Sequence, residues 1–156
     1  MGLIRKGTVD VIALVHSDRA INSTFPVMCQ LRPHISQNEY LFQVKQLVAE
    51  VGYRLAALTR EKQVVCVAGF RFCRSLGWGK YLYVDDLVTD ADFRSTGAGE
   101  AMFGWLAKLA ENAGCGELRL DSAVERHGAH RFYLRERMNI ACFNFRLKLK
   151  HVNVRQ

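Results

Sequence analysis

Residues 85–102 read DDLVTDADFRSTGAGEAM. A β-branched, apolar run carrying two acids gives way to Arg94. Gly97 and Gly99 then flank Ala98, and the residues beyond Gly99 take on a helical period. A strand that passes through a glycine turn into a helix makes an anion site. The first helical turn has unbonded N–H groups and a partial positive charge, and glycine lets a phosphate approach the backbone closely. Arg94 adds a permanent, forked donor, and Ser95 or Thr96 supplies a cap or a hydroxyl.

Three phosphate-loop patterns compete for this stretch. A P-loop needs GxxxxGK[ST], which is absent. The dinucleotide fingerprint GxGxxG is met by Gly97 and Gly99, but Met102 stands at its third glycine. Asp121 lies at a workable distance downstream, so that reading stays open as a runner-up. The third pattern, RxxGxG after a strand, is met in full by Arg94, Gly97 and Gly99.

Working outward, residues 9–17 (VDVIALVHS) read as a strand, and residues 35–52 as a helix with Leu41, Val44, Val48 and Val51 on its apolar side and Gly52 at its end. Residues 53–60 and 63–72 read as a hairpin turning at Glu61-Lys62, the second strand apolar enough to be central. Residues 74–80 (RSLGWGK) form the next turn and residues 81–89 another strand. Ala98, Met102, Trp105, Leu106, Leu109 and Ala113 share one helical face, closed by AGCG. Residues 117–121 read as a short strand and residues 126–138 as an amphipathic helix. In the last stretch Phe143, Phe145, Leu147 and Leu149 alternate with Asn144, Arg146, Lys148 and Lys150, the pattern of a half-buried strand. The order predicts an α+β fold with a mixed sheet: an antiparallel meander, then a parallel strand–helix–strand unit, with helices on the faces.

The 156 residues predict one domain, 1–156, large enough to bury a core without disulfides or metal. Hydrophobic residues at 49% exclude a disordered chain. There is no apolar run of transmembrane length and no signal-peptide core near the N-terminus, which predicts a cytoplasmic protein without membrane attachment. The five cysteines, Cys29, Cys66, Cys73, Cys115 and Cys142, are scattered without a CxxC pair, which argues against a disulfide framework or a thiolate metal site. The formal charge of +7 suits an anionic ligand. It would also suit nucleic acid, but the aromatics follow core periods instead of interleaving with Arg and Lys, which argues against that partner.

VDDLVTDADFRSTGAGEAMFGWLAKLA (84–110), LRLDSAV (118–124) and AHRFYLRERM (129–138) together resemble the GNAT superfamily of N-acetyltransferases. The resemblance is strongest over residues 81–149. It implies a GNAT-like fold and acetyl-CoA as cosubstrate, with no metal. It places pyrophosphate on the loop of Arg94, Ser95, Thr96, Gly97, Ala98 and Gly99, and pantetheine along the backbone of Leu87, Val88 and Thr89, where the family splays two strands at a β-bulge. Tyr133 matches the tyrosine that many members set beside the CoA sulfur, so it is the expected acid for the leaving thiolate. Its bland reading is an amphipathic core residue.

Asp85 and Asp86 are the expected base candidates. Regular alternation sends them to opposite faces, and a bulge changes that. The resemblance favours Asp85, with Asp86, Glu125 and a water chain left open. Arg126 replaces an asparagine that helps hold pantetheine in many members, which turns Arg126 toward CoA phosphates or solvent. His127, His130 and Arg131 share that choice between CoA phosphates and solvent, with the surface favoured for the histidines, while His16 and His34 show no partner and carry no role. The acceptor site is expected near the first helix, the Gly77-Trp78-Gly79 turn and the C-terminal strand. The acceptor amine itself, small molecule or protein, is not legible, nor is the choice between monomer and homodimer. A non-catalytic acyl-CoA sensor of the same fold is the alternative reading.

Overall fold

The computed structural model describes residues 9–149; residues 1–8 and 150–156 lie outside them. The described residues divide into two compact units, 9–120 and 121–149. The first holds a five-stranded mixed sheet: β1 (Asp10–Val15), β2 (Arg54–Arg60), β3 (Gln63–Ser75), β4 (Gly79–Thr89) and β5 (Glu117–Leu120), in that spatial order. The first four strands run antiparallel, and β5 lies parallel to β4. The β2–β3 hairpin turns at Glu61 and Lys62, both with positive φ (49° and 66°), as a tight two-residue hairpin requires.

Helices α1 (Asp18–Leu31) and α2 (Gln37–Val51) pack on one face of this sheet, and α3 (Ala98–Asn112) on the other. The sequence pattern does not announce α1. Asn22, Ser23, Thr24 and Pro26 are weak helix formers or breakers. Its capped start and buried side hold it: the Ser17 hydroxyl accepts from Ala20 N at 3.2 Å, and Ile21, Thr24, Val27 and Met28 are buried. In α2 the buried residues are Tyr40 and Val44, while Val48 and Val51 face solvent. The expected stripe therefore holds at Val44 and in part at Leu41, while its C-terminal half is exposed and the large ring of Tyr40 joins the core.

Two cores result. On the α3 side Phe70, Leu82 and Val84 meet Ala98, Met102 and Leu106. On the other, Leu55, Val67 and Val88 meet Ile21, Val27, Tyr40 and Val44.

In the second unit α4 spans His127–Arg135. Arg137 turns it off with a φ of 67°, and Met138 N donates to Tyr133 O at 3.0 Å. The expected strand over 143–149 does not form. Phe143, Phe145, Leu147 and Leu149 are exposed, Phe145 by 93%, and no strand among the described residues pairs with them. Alternation supplies two faces, but a strand also needs a neighbour to take its N–H and C=O groups. No helix among the described residues is long and apolar enough to cross a membrane.

Candidate active site

The site begins at a register fault. Gly69 pairs with Asp86 and Phe70 with Val84, so Asp85 is an extra residue in β4. The bulge changes which way the strand faces. Before it, Leu82 and Val84 point into the α3 core; after it, Val88 joins the core under α1 and α2. Asp86, two residues before Val88, reaches Arg32 at the end of α1. Asp85 reaches Arg71, which lies between Phe70 and Phe72, two residues that pack on the α3 side. Both acids therefore lie on the sheet face away from α3, which regular alternation would forbid.

Each acid is fully engaged. Arg71 grips Asp85 with two bonds of 2.8 Å, from Nε to Oδ2 and from Nη2 to Oδ1. Those bonds raise the Arg71 pKa further. Arg32 Nε donates to Asp86 Oδ1 at 2.7 Å, and Tyr53 Oη donates to Asp86 Oδ2 at 2.8 Å. Burial first, and then the charge of Asp86, push the Tyr53 phenol well above its ordinary value, so it remains a donor. Arg32 Nη2 also takes the Asp85 carbonyl at 3.1 Å, satisfying a backbone acceptor at the bulge. Tyr53 can reach Asp86 because residue 69 is glycine.

The same fault opens the sheet. β5 pairs with β4 only from Tyr81 to Val84. From Asp85 to Thr89 β4 has β3 on one side and no strand on the other among the described residues. Leu87, Val88 and Thr89 occupy this open edge. Val88 is buried, and Thr89 Oγ1 donates to Cys66 Sγ at 3.5 Å. Leu87 packs partly against the α3-side core, and the strand's outer edge has no partner strand here among the described residues.

The edge leads through a short 3-10 turn, Ala91–Phe93, into the glycine loop. Ser95 (φ 60°) and Gly97 (φ 85°) are both left-handed, and Gly97 caps α3 without a side chain. Arg94, Ser95, Thr96 and Gly97 are exposed; Ala98 is buried and Gly99 intermediate. The loop is anchored from below. Arg60 binds Asp10 at 2.7 and 2.8 Å and also donates to Thr96 Oγ1 at 2.9 Å, while Thr96 Oγ1 donates to Phe93 O at 2.6 Å. Thr96 is thus a brace of the loop, set beside the N–H groups at the head of α3 and the exposed Arg94 side chain.

In the second unit Arg126 caps α4 and Tyr133 lies two turns along it. Burial raises the Tyr133 pKa, with Arg126 pulling it partly back. Arg126 is exposed. No group of three or more His, Cys, Asp or Glu side chains among the described residues is arranged for a metal ion.

The sequence model of the Acetyltransferase (GNAT) family matches residues 21–138. The chain belongs to the GNAT acetyltransferase family. An uncharacterized N-acetyltransferase of Bacillus subtilis (strain 168), YhdJ, is 33% identical over 110 residues, covering 70% of this chain and 78% of that protein. The aminoglycoside N-acetyltransferase AAC(6')-Iy, solved in complex with CoA, superposes with a TM-score of 0.80 at 12% identity, covering 96% of this chain and all (100%) of that one. A ribosomal-protein-alanine N-acetyltransferase from Brucella melitensis biovar Abortus 2308 gives 0.78 at 17% identity, covering 91% of this chain and 100% of that one. At such identities the structural likeness is one of fold.

Within this GNAT fold several residues join the site that the sequence reading passed over: Arg32, Tyr53, Gly69 and Arg71 around the acids, and Arg60 under the loop. Gly69 carries a readable signal, since a glycine inside an apolar central strand marks a bulge or a close approach. The others depend on helix α1 and on the register of β3 and β4.

Proposed function

We propose that this GNAT chain transfers an acetyl group from acetyl-CoA to a primary amine, and that residues 1–156 act as one domain in doing so. The observation that carries the reading is the opening of β4 from β5 just beyond Val84, followed directly by an exposed, left-handed loop at the head of α3. A linear ligand with a peptide-like arm and a pyrophosphate fits that sequence of groups. The amides and carbonyls of Leu87, Val88 and Thr89 would hold the arm. Arg94 and the backbone of Ser95, Thr96, Gly97, Ala98 and Gly99 would hold the phosphates. Arg126 is a further cation for the ligand's phosphates.

Acetyl-CoA supplies an activated acyl thioester. In the transfer the amine nitrogen bonds to the acetyl carbon as the carbon–sulfur bond breaks; the nitrogen gives up a proton and the sulfur gains one. Tyr133, kept protonated by burial, is the donor for the thiolate. Asp85 is the candidate acceptor for the amine's proton, although Arg71 must yield one of its two bonds for Asp85 to take it.

The direct test is ligand-dependent stability together with thioester consumption over a panel of amines. At 100 times its dissociation constant, acetyl-CoA that binds only the folded state stabilises it by about 2.7 kcal/mol. A melting temperature indifferent to CoA overturns the reading. CoA binding with no amine-dependent loss of thioester overturns the transferase and leaves a binding module.

A further inference from the structure

A cavity of about 230 Å³ opens beside Asp86, between the ends of α1 and α2 and strand β4. It lies wholly in the first unit. One part of its wall is apolar, built by Met28, Ile35, Val44 and Leu47; His34, Tyr40, Gln43 and Tyr53 line the rest, with two opposite formal charges, Arg32 and Asp86. The acid is the deeper partner: its side chain is 11% exposed against 41% for Arg32. The volume is the liquid share of about seven or eight waters, which suits a small solute.

We infer that this cavity receives the acceptor, and that the acceptor is an apolar amino acid bearing both a free amine and a free carboxylate. The inference rests on the acetyl-transfer reading above and deepens it. In the structure Arg32 and Asp86 neutralise each other. A ligand with ammonium alone takes Asp86 and strands the arginine; a ligand with carboxylate alone strands the buried acid. A ligand with both exchanges one ion pair for two and leaves no charge unpaired. The guanidinium is suited to the exchange. It is partly exposed, it stays charged, and its Nη1 has no protein acceptor among the described residues, so its fork can turn to a carboxylate. Tyr53 keeps Asp86 aimed when Arg32 leaves, through its 2.8 Å bond to the other oxygen. The amine end then lies beside the bulge where β4 parts from β5, next to the edge assigned to the pantetheine arm. The apolar wall receives the side chain.

The test compares L-leucine, L-leucinamide and isoamylamine, which share a body and lose the carboxylate stepwise. Calorimetry on the CoA-saturated protein reads binding, and acetyl-CoA consumption reads transfer. Leucine is expected to bind about tenfold or more tighter than the other two. Arg32→Gln is expected to bring the three within about twofold of one another, Arg32→Lys to restore part of the preference, and Asp86→Asn to weaken all three. Melting curves confirm that each variant is folded. Equal or tighter binding of the amide or the amine, a preference that survives Arg32→Gln, or no binding of any of the three overturns the inference. Selective leucine binding without thioester loss upholds the site and overturns acetyl transfer; thioester loss with the amide or amine alone does the reverse.

Discussion

A Cβ built on Gly69 would lie 1.7 Å from Tyr53 Oη, the hydroxyl that donates to Asp86 Oδ2 at 2.8 Å. The missing side chain on β3 is what lets a phenol from the start of β2 cross beneath the bulge and fix the acid. Tyr53→Phe removes a bond to a charged group in a largely buried setting and is expected to cost about 1.5–3 kcal/mol. Gly69→Ala is expected to cost about 1–3 kcal/mol by overpacking, since the ring of Tyr53 has to move with its hydroxyl. Urea unfolding checks both, and a Gly69→Ala protein as stable as the parent would show that Tyr53 does not hold this position.

Arg60 links three segments: Asp10 on β1, its own strand β2 and Thr96 in the loop. Its hydrogen bonds hold the Asp10 carboxyl below the usual carboxylate value. A depressed folded pKa contributes stability that is present above the unfolded value of about 3.9 and is lost as pH falls through the folded one. Arg60→Gln should therefore cost up to about 1 kcal/mol at neutral pH, and the part owed to Asp10 should vanish once Asp10 is protonated in both states. Freed from its brace, the loop should also bind CoA about tenfold more weakly. Stability measured from pH 7 down to pH 2, with CoA titrations at pH 7, reads both effects.

Between α1 and α2, Thr24 Oγ1 and Tyr40 Oη lie 2.8 Å apart in the core. The two are unequal, because Thr24 Oγ1 also donates to Ile21 O at 2.7 Å, whereas Tyr40 has been pushed up to a pKa of about 12 by burial and has Thr24 as its partner. Tyr40→Phe leaves the threonine satisfied and should cost about 0.5–1.5 kcal/mol. Thr24→Val leaves a buried phenol unpaired and should cost about 1–3 kcal/mol. Thermal unfolding of the two variants side by side gives the order.

The glycine loop, the meander and the parallel return were all legible in the sequence, because each depends on residues that are neighbours in the chain. RxxGxG after a strand is a local statement about backbone freedom and helix polarity. The faces of Asp85 and Asp86 were not legible, since they depend on a one-residue slip between β3 and β4 that no single strand encodes. Arg32 was hidden for a different reason: it caps α1, whose exposed side carries Asn22, Ser23 and Pro26, poor helix formers, and whose stability comes from tertiary burial more than from propensity. The tail erred in the opposite direction. Its alternation is clean, yet its apolar side chains are exposed, because periodicity describes a segment's capacity to pair and not the presence of a partner.

Tyr133 is proposed to protonate the leaving thiolate, and its burial keeps the phenol protonated across the neutral range. Tyr133→Phe is expected to lower kcat by about 10²–10⁴ with CoA affinity nearly unchanged. In the parent protein the loss of activity through this group should fall on the alkaline side, above the ordinary phenol value, because the acid must carry its proton. Arg126 opposes the upward shift, so Arg126→Gln should move that alkaline limb higher still. Single-turnover rates between pH 7 and pH 11 check the group. An unchanged rate in Tyr133→Phe removes it from the chemistry.

Asp85 presents a choice between a base and half of an ion pair, and the geometry supplies a way to separate them. Both oxygens are bound by Arg71, and the pair is partly open to solvent, with side chains 29% and 25% exposed. Exposure of that degree limits the pair's contribution to stability to about 1 kcal/mol. Breaking it from either side should therefore cost a similar, small amount in unfolding experiments. The two sides differ in chemistry. Asp85→Asn removes a proton acceptor, whereas Arg71→Gln leaves the carboxylate in place and frees it. A base at Asp85 predicts a drop in kcat of about 10²–10⁴ for Asp85→Asn and a much smaller one for Arg71→Gln. A purely structural pair predicts equal effects on turnover from the two substitutions, in step with their equal effects on stability.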